Sequence, residues 1–435
     1  MSSRLLFLLV GIFVTVGSVC ADPSHEVFSK LVGSSDFGPT EREYRDGSFC
    51  GLTRSPLSVP LLQKSKRILS IFRRHFRSLR VERPHIEKLV RQIEACRQKV
   101  ALPRQLYLRG TETQKFDTQF FPDGKVYIHL GFNDPQHKRG GYKLFSRSID
   151  YDKESLVANL VMALDHKGRS KAVVNEIEVM SRLSSCNRCN QLLSYGMYVS
   201  GLNPLRLAVS IQTSLFEQDL RSRYVRIASA THFTRVAQQA LESLSATHSL
   251  GVVHRDIKAA NFLIKGAGSD VDLSLADFGL SEHSESERFG KHIAGTRGYI
   301  DPFLCEQHIH SGRAFSKIQD GIKGDLFSLG MTFNSLWFGS ANRLKKSVKE
   351  MNLKVLPRNK QRVLDVSGFA ALLLRYREQY RVEAEKVAEK IKANHGVAHR
   401  RHIISLLVLN MLSPEPRHRL SAKELAANFR LSASF

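Results

Sequence analysis

What the 435-residue chain has little of narrows it first. Past Val16 there is no stretch long and apolar enough to span a bilayer. Acidic residues are in deficit: 41 Asp and Glu face 65 Lys and Arg, a formal net charge of +24. Such an excess attracts phosphate, nucleic acid or an anionic membrane without choosing among them. The alternative is a basic surface that is merely solvated. No base-reading module accompanies the charge, so specific nucleic-acid recognition is not expected. Cysteine is scarce, six in all. Cys186 and Cys189 form one C-x-x-C, and the second pair that a zinc site would want is absent. A local disulfide or two free thiols are the readings left. There is no internal repeat. The 42% of hydrophobic residues can bury a sizeable core, which excludes a disordered or fibrous chain.

The amino terminus carries the one long apolar run. Arg4 precedes Leu5 to Val16, and Val19 and Ala21 suit cleavage after Ala21. Residues 1–21 are therefore expected to be a secretory signal peptide, with an uncleaved anchor as the alternative. Loss of Cys20 with that peptide leaves Cys50, Cys96, Cys186, Cys189 and Cys305, an odd set that cannot pair fully within one chain. Residues 22–60, rich in Ser, Gly, Pro and charge, read as a flexible leader.

Residues 61–104 read as a basic helical extension. Ile68, Phe72, Phe76 and Leu79 recur at helical spacing, with Lys64, Lys66, Arg67, Arg73, Arg74, Arg77 and Arg80 between them. Pro84 interrupts, and Ile86, Leu89, Val90, Ile93 and Cys96 begin a second pattern. An Arg-rich face opposite a Phe/Leu face suits an anionic membrane interface over residues 61–83. Alternatively both apolar faces brace the domain that follows. From about residue 105 short strand-like segments appear: Phe116 to Phe121, Val126 to Gly131 and Tyr142 to Ser146, with a turn signal at Pro122-Asp123-Gly124. Helical period returns at Ala172 to Leu183, then two strand candidates, Leu192 to Val199 and Leu205 to Gln212. Past Arg221 the chain reads as helical. The expected class is α+β, a small β-rich part followed by a larger helical one.

His254-Arg255-Asp256-Ile257-Lys258-Ala259-Ala260-Asn261, followed by Asp277-Phe278-Gly279, resembles the catalytic loop and metal-binding motif of the protein kinases. The resemblance covers about residues 105–430 and implies the bilobal kinase fold, with a β-rich N-lobe and a helical C-lobe. It implies ATP and Mg²⁺. Asp256 would accept the substrate hydroxyl proton, Lys258 would neutralise the γ-phosphate, and Asn261 and Asp277 would hold Mg²⁺ through oxygen ligands. A Lys two residues after the catalytic Asp resembles the serine/threonine class. Thr296, in Gly295-Thr296-Arg297-Gly298-Tyr299, would hydrogen-bond Asp256 and Lys258. Asp325 would brace the loop backbone, and Arg419 resembles a late structural Arg. Ser281, Ser284, Ser286 and Thr296 supply hydroxyls whose phosphorylation would pair with Arg255; an unmodified loop is the equal alternative.

Three departures stand out. No G-x-G-x-x-G loop is found, and Gly110 stands alone. The Lys that pairs with the helix residue Glu176 reads best as Lys143, in what resembles the third-strand motif. The 33 residues between them imply an insertion around Asp150 to Lys171. The rival places His129 at that position, and Lys167 or Lys171 are further candidates. The usual Glu after Pro302 is replaced by Phe303, so Arg419 lacks its expected partner unless Glu306 substitutes. A secretory leader, an Arg-rich extension and an altered N-lobe together resemble the secreted rhoptry-type kinases of apicomplexan parasites, specifically the branch without a glycine-rich loop. That resemblance implies passage through a rhoptry or dense granule to the parasitophorous vacuole or host cell, and protein substrates there with Ser/Thr acceptors. A catalytically inactive pseudokinase scaffold is the second reading.

Overall fold

The computed structural model describes residues 57–99, 106–108, 117–121, 123–130, 138–139, 143–164, 167–202, 205–223, 230–266, 271–286, 289–339, 343–356, 365–394 and 396–434. The expected signal peptide, nearly all of the leader, Gly110 and Pro122 lie outside these residues. The chain divides into two compact units, one running to Glu178 and resuming over Leu192–Leu215, the other holding Val179–Gln191 and Phe216 onward.

The first unit opens with two helices, α1 (Val59–His75) and α2 (Arg83–Lys99). Helix α1 thus starts inside the segment read as leader. Strands β1 (Leu106–Leu108), β2 (Asp117–Phe120), β3 (Val126–His129), β4 (Lys138–Arg139), β5 (Lys143–Asp150) and β6 (Ser155–Ala163) follow, then helix α3 (Lys167–Arg182) and strands β7 (Leu192–Leu202) and β8 (Leu205–Thr213). The sheet runs β1-β2-β3-β5-β6-β8-β7, with β4 on β5. Every pairing is antiparallel.

One face of this sheet carries the apolar side chains that the helices cover. Ile68, Leu69, Phe72 and Phe76 of the first helical segment and Ile86, Leu89, Val90 and Ile93 of α2 are buried against Val126, Ile128, Ile149 and Tyr151. The apolar stripe of α1 is therefore spent on bracing the sheet, while Lys66, Arg67, Arg73, Arg74 and Arg77 stay exposed. The opposite face holds a row of buried polar side chains. His129 bonds Ser148 at 2.7 Å and Gln119 at 3.0 Å, and Asn159 joins His129 to Ser210 and Gln212 at 3.1, 2.7 and 2.9 Å. The sheet curls so far that β7 meets the β2–β3 hairpin: Ser194 donates to Asp123 at 3.1 Å, and a Cβ on Gly196 would lie 3.1 Å from the Phe121 ring. A side chain there would require the Phe121 ring to give way by a few tenths of an ångström.

The second unit continues with β9 (Gln218–Asp219), α4 (Leu220–Arg223), α5 (Ala230–Ser249), β10 (Val252–Val253), β11 (Phe262–Lys265), β12 (Asp272–Leu275) and β13 (Glu282–His283). Helices α6 (Pro302–Ser311), α7 (Ile318–Trp337), α8 (Arg343–Val355), α9 (Val366–Ala393), α10 (Gly396–Met411) and α11 (Ala422–Ser434) complete it. Helix α7 is its axis, buried from Gly324 to Asn334. Phe233 of α5, Phe333 of α7 and Phe429 of α11 pack edge to face or tilted, with ring centroids 5.4 to 6.3 Å apart. No described helix is long and apolar enough to cross a membrane.

Candidate active site

The loop joining β10 to β11 carries three of the expected site residues, Asp256, Lys258 and Asn261, and its backbone is held from beneath. Asp325 of α7 accepts the backbone N–H groups of His254 and Arg255, each at 2.7 Å. The buried His254 ring accepts from the Asp256 N–H at 3.2 Å, and its Nε2 faces the Ala276 carbonyl at 3.0 Å. Its ring also lies 5.1 Å from that of Phe278. Arg255 and Asp277 adopt φ of 70° and 67°, a left-handed backbone that costs a non-glycine residue and concentrates at functional sites.

On this frame the side chains converge. Lys258 Nζ donates to Asp256 Oδ2 at 2.6 Å and to Thr296 Oγ1 at 3.0 Å. Thr296 in turn donates to Asp256 Oδ1 at 2.7 Å. One carboxylate, one ammonium and one hydroxyl thus form a closed triangle. Asn261, at the start of β11, donates its amide to the Asp256 carbonyl at 2.8 Å. That bond sets the amide's orientation and leaves its carbonyl oxygen as a hard oxygen donor, the kind Mg²⁺ takes. Asp277, just past β12, supplies the carboxylate of such a pair. The segment after Thr296 is clamped by the buried Asn352, which accepts from Gly298 N–H at 2.7 Å and donates to the Ile300 carbonyl at 3.1 Å.

Arg255 does not wait for a phosphate. Its guanidinium is ion-paired with Glu282 of β13 and donates to the His292 carbonyl, while the other Glu282 oxygen accepts Gly290 N–H at 2.8 Å. Burial pulls the Arg255 guanidinium below its ordinary pKa, against the pull of Glu282 and Asp325. In the unmodified chain, a carboxylate of the chain itself fills the place beside Arg255 that a loop phosphate would take. Thr296 is engaged with Asp256 and Lys258. Ser281 is buried and donates to the His254 carbonyl at 3.2 Å.

Arg419 is not short of a partner either. It is fully buried and pairs bidentately with Asp301, one contact at 3.1 Å, and also donates to the carbonyls of Ser413 and Lys323. Asp301 stands immediately before Pro302, so the carboxylate has moved along the chain rather than disappeared. Glu306 does not substitute; its nearest cation is Arg377, at 3.8 Å.

In the first unit Lys143 Nζ donates to Glu176 Oε1 at 2.6 Å, with Glu176 buried. The register explains the meeting. Lys143 is the direct partner of Met162, and antiparallel partners share a face. Met162 packs on Val173, Val174 and Ile177 of α3, so Lys143 points at that helix. The strand assignment needs correction. Lys143 does not lie on the strand that leads into α3. That strand is β6, which contains no Lys and lies within the stretch read as an insertion. Lys143 reaches the helix from β5, one strand further out. His129 is excluded from the same task, since it is buried in the polar row, where burial takes its pKa down to about 3. The side chains of Lys167 and Lys171 lie outside the described residues, as do residues 131–137 between β3 and β4.

The protein kinase domain family matches residues 139–429, more than half of the chain. This chain belongs to the protein kinase family. A probable myosin light chain kinase of Dictyostelium discoideum is 32% identical over 165 residues, 36% of this chain and 49% of that protein. Calcium/calmodulin-dependent protein kinase type 1B of Homo sapiens is 32% identical over 143 residues, 32% of this chain and 39% of that protein. Serine/threonine-protein kinase dst2 of Dictyostelium discoideum is 26% identical over 182 residues, 42% of this chain and 15% of that protein. The chain spans half or less of the length of these relatives.

Proposed function

We propose that this protein is a secreted serine/threonine protein kinase that moves the γ-phosphate of ATP to hydroxyls of protein substrates. The observation that carries the reading is the triangle of Asp256, Lys258 and Thr296, with Asn261 bonded to the Asp256 backbone. A substrate hydroxyl entering beside Asp256 gives its proton to the carboxylate as its oxygen bonds to phosphorus. The bond from that phosphorus to the β–γ bridging oxygen breaks, and ADP leaves. Lys258 offsets the charge on the phosphoryl oxygens, and Thr296 holds Asp256 in the rotamer that faces the hydroxyl. Asn261 and Asp277 fit Mg²⁺ by their donor chemistry, and the ion supplies charge neutralisation on the phosphates when bound. Lys143, fixed by Glu176, supplies the cation of the first unit.

Secretion rests on the amino-terminal signal, and the rhoptry-type assignment on that signal, the Arg-rich extension and the missing glycine-rich motif. Delivery to a parasitophorous vacuole or host cell follows from the same resemblance. For an anionic membrane, the contact is electrostatic, through the exposed cations of α1, because the apolar face is used internally.

The competing reading, a pseudokinase scaffold, is motivated by the absent G-x-G-x-x-G motif. Melting curves in millimolar Mg-ATP separate the two, since a ligand that binds only the native state raises its melting temperature. The kinase reading predicts a rise that Asp277→Asn and Lys143→Met each reduce. An unchanged melting temperature in the wild-type protein would leave the scaffold reading in possession.

A further inference from the structure

The turn between α3 and β7 places the two sulfurs of the C-x-x-C motif 2.6 Å apart. A covalent S–S bond is about 2.05 Å, so the pair stands about half an ångström from closure and closer than a sulfur hydrogen bond requires. The backbone is already shaped for a bridge: Cys189 N–H donates to the Cys186 carbonyl at 3.0 Å, a four-residue turn. Gln191 donates its side-chain amide to both the Cys186 and Cys189 carbonyls, at 2.7 and 3.0 Å, and fixes that turn from the far side. Both thiols are buried, and Thr247 of α5 stands 3.5 Å from the Cys189 sulfur. Among the described residues no group of three or more His, Cys, Asp or Glu side chains could hold a metal ion. Elsewhere in the chain Cys96 is disulfide-bonded, whereas Cys305 is buried and free.

We propose that Cys186 and Cys189 are a disulfide-forming pair, oxidised by thiol–disulfide exchange with a small or protein disulfide donor, which locks this turn. The Cys186 thiolate attacks one sulfur of the donor and expels the first donor thiolate. The Cys189 sulfur then attacks Cys186 in the mixed disulfide and expels the second. The two protons lost by the cysteines end on the two donor thiols. The pair is oxidised by two electrons, and the donor is reduced by two. The order of attack follows from the surroundings: the hydrogen bond from the Cys189 thiol holds Cys186 down at about 7, whereas the same bond and burial push Cys189 up. The locked turn sits against β12. Asn190 N–H donates to the Leu275 carbonyl at 2.7 Å, and Leu275 N–H to the Arg188 carbonyl at 2.9 Å. Leu275 is two residues from Asp277, so the bridge stiffens the strand that presents that carboxylate.

The test uses the full secreted chain, reduced in denaturant and refolded with the reduced and oxidised glutathione couple. It is quenched in acid, unfolded, alkylated and digested. The expected result is a peptide in which Cys186 and Cys189 are unlabelled and joined, while Cys305 is labelled. Unfolding before alkylation removes burial as a cause of protection. Labelling of Cys186 and Cys189 to the same extent as Cys305 would overturn the proposal. In a Cys186→Ser variant, Cys189 should become labelled or carry glutathione; an unlabelled, unmodified Cys189 there would equally refute the pairing.

Discussion

Arg255 and Glu282 meet 27 residues apart in the chain, in a place where burial makes either one costly alone. Removing one member of a buried ion pair strands the other, at a cost of about 3–5 kcal/mol. Glu282→Ala should therefore lower the unfolding free energy of the protein, read from denaturant titration, by that amount and release the segment from Gly290 to Ala294. Ser284→Ala, at an exposed position, should leave both stability and phosphate transfer unchanged. Loss of transfer in Ser284→Ala would favour the phosphorylation switch over the unmodified loop. Asp301 and Arg419 repeat the same physics. The contiguous motif around Asp256 was legible because its function demands fixed residue types at fixed spacing. The partners of Arg255 and Arg419 were not, since an ion pair across 118 residues leaves no local periodicity to read.

Among the elements, α1 and the curled sheet carry the instructive outcomes. The amphipathic period of α1 was plain in the sequence, but the surface it covers was not, because a membrane and a sheet present the same apolar face. Phe72→Ala, at a fully buried ring, should cost about 3–5 kcal/mol by urea unfolding, as large core truncations do. Arg73→Ala and Arg74→Ala should cost nothing measurable. Lys143 and Glu176 were both legible, whereas the strand bearing Lys143 was misplaced. Strand identity depends on which segments pair, and the apolar run of β6 does not announce its neighbours. The polar row on the other face was hidden for the same reason. It makes a pH prediction. His129 is neutral when folded and titrates near its ordinary value, about 6.5, when unfolded, so its folded pKa is depressed. The unfolded chain then binds the extra proton, and stability contributed by neutral His129 is present above pH 6.5 and lost as pH falls toward 3. Between pH 7 and 5 this amounts to about 2 kcal/mol. His129→Asn should be less sensitive to that change than wild type in paired urea titrations. Equal sensitivity would remove His129 as the cause.

For the whole molecule the excess positive charge and the chemistry of the second unit are separable. Flotation with vesicles rich in phosphatidylserine should carry the protein upward at low salt. It should fail at 1 M salt, where the screening length falls to about 3 Å. Replacing Arg73, Arg74 and Arg77 by Ser should weaken flotation without changing the melting temperature. Persistence of flotation in that variant would place the membrane contact elsewhere. The measurement that bears most directly on the central claim is transfer of labelled γ-phosphate from Mg-ATP to a generic basic protein, comparing wild type with Asp256→Asn. The account predicts labelled phosphoserine or phosphothreonine with the wild-type protein and none with a variant that melts as wild type does. Equal labelling by the two proteins, or none by either, would contradict it.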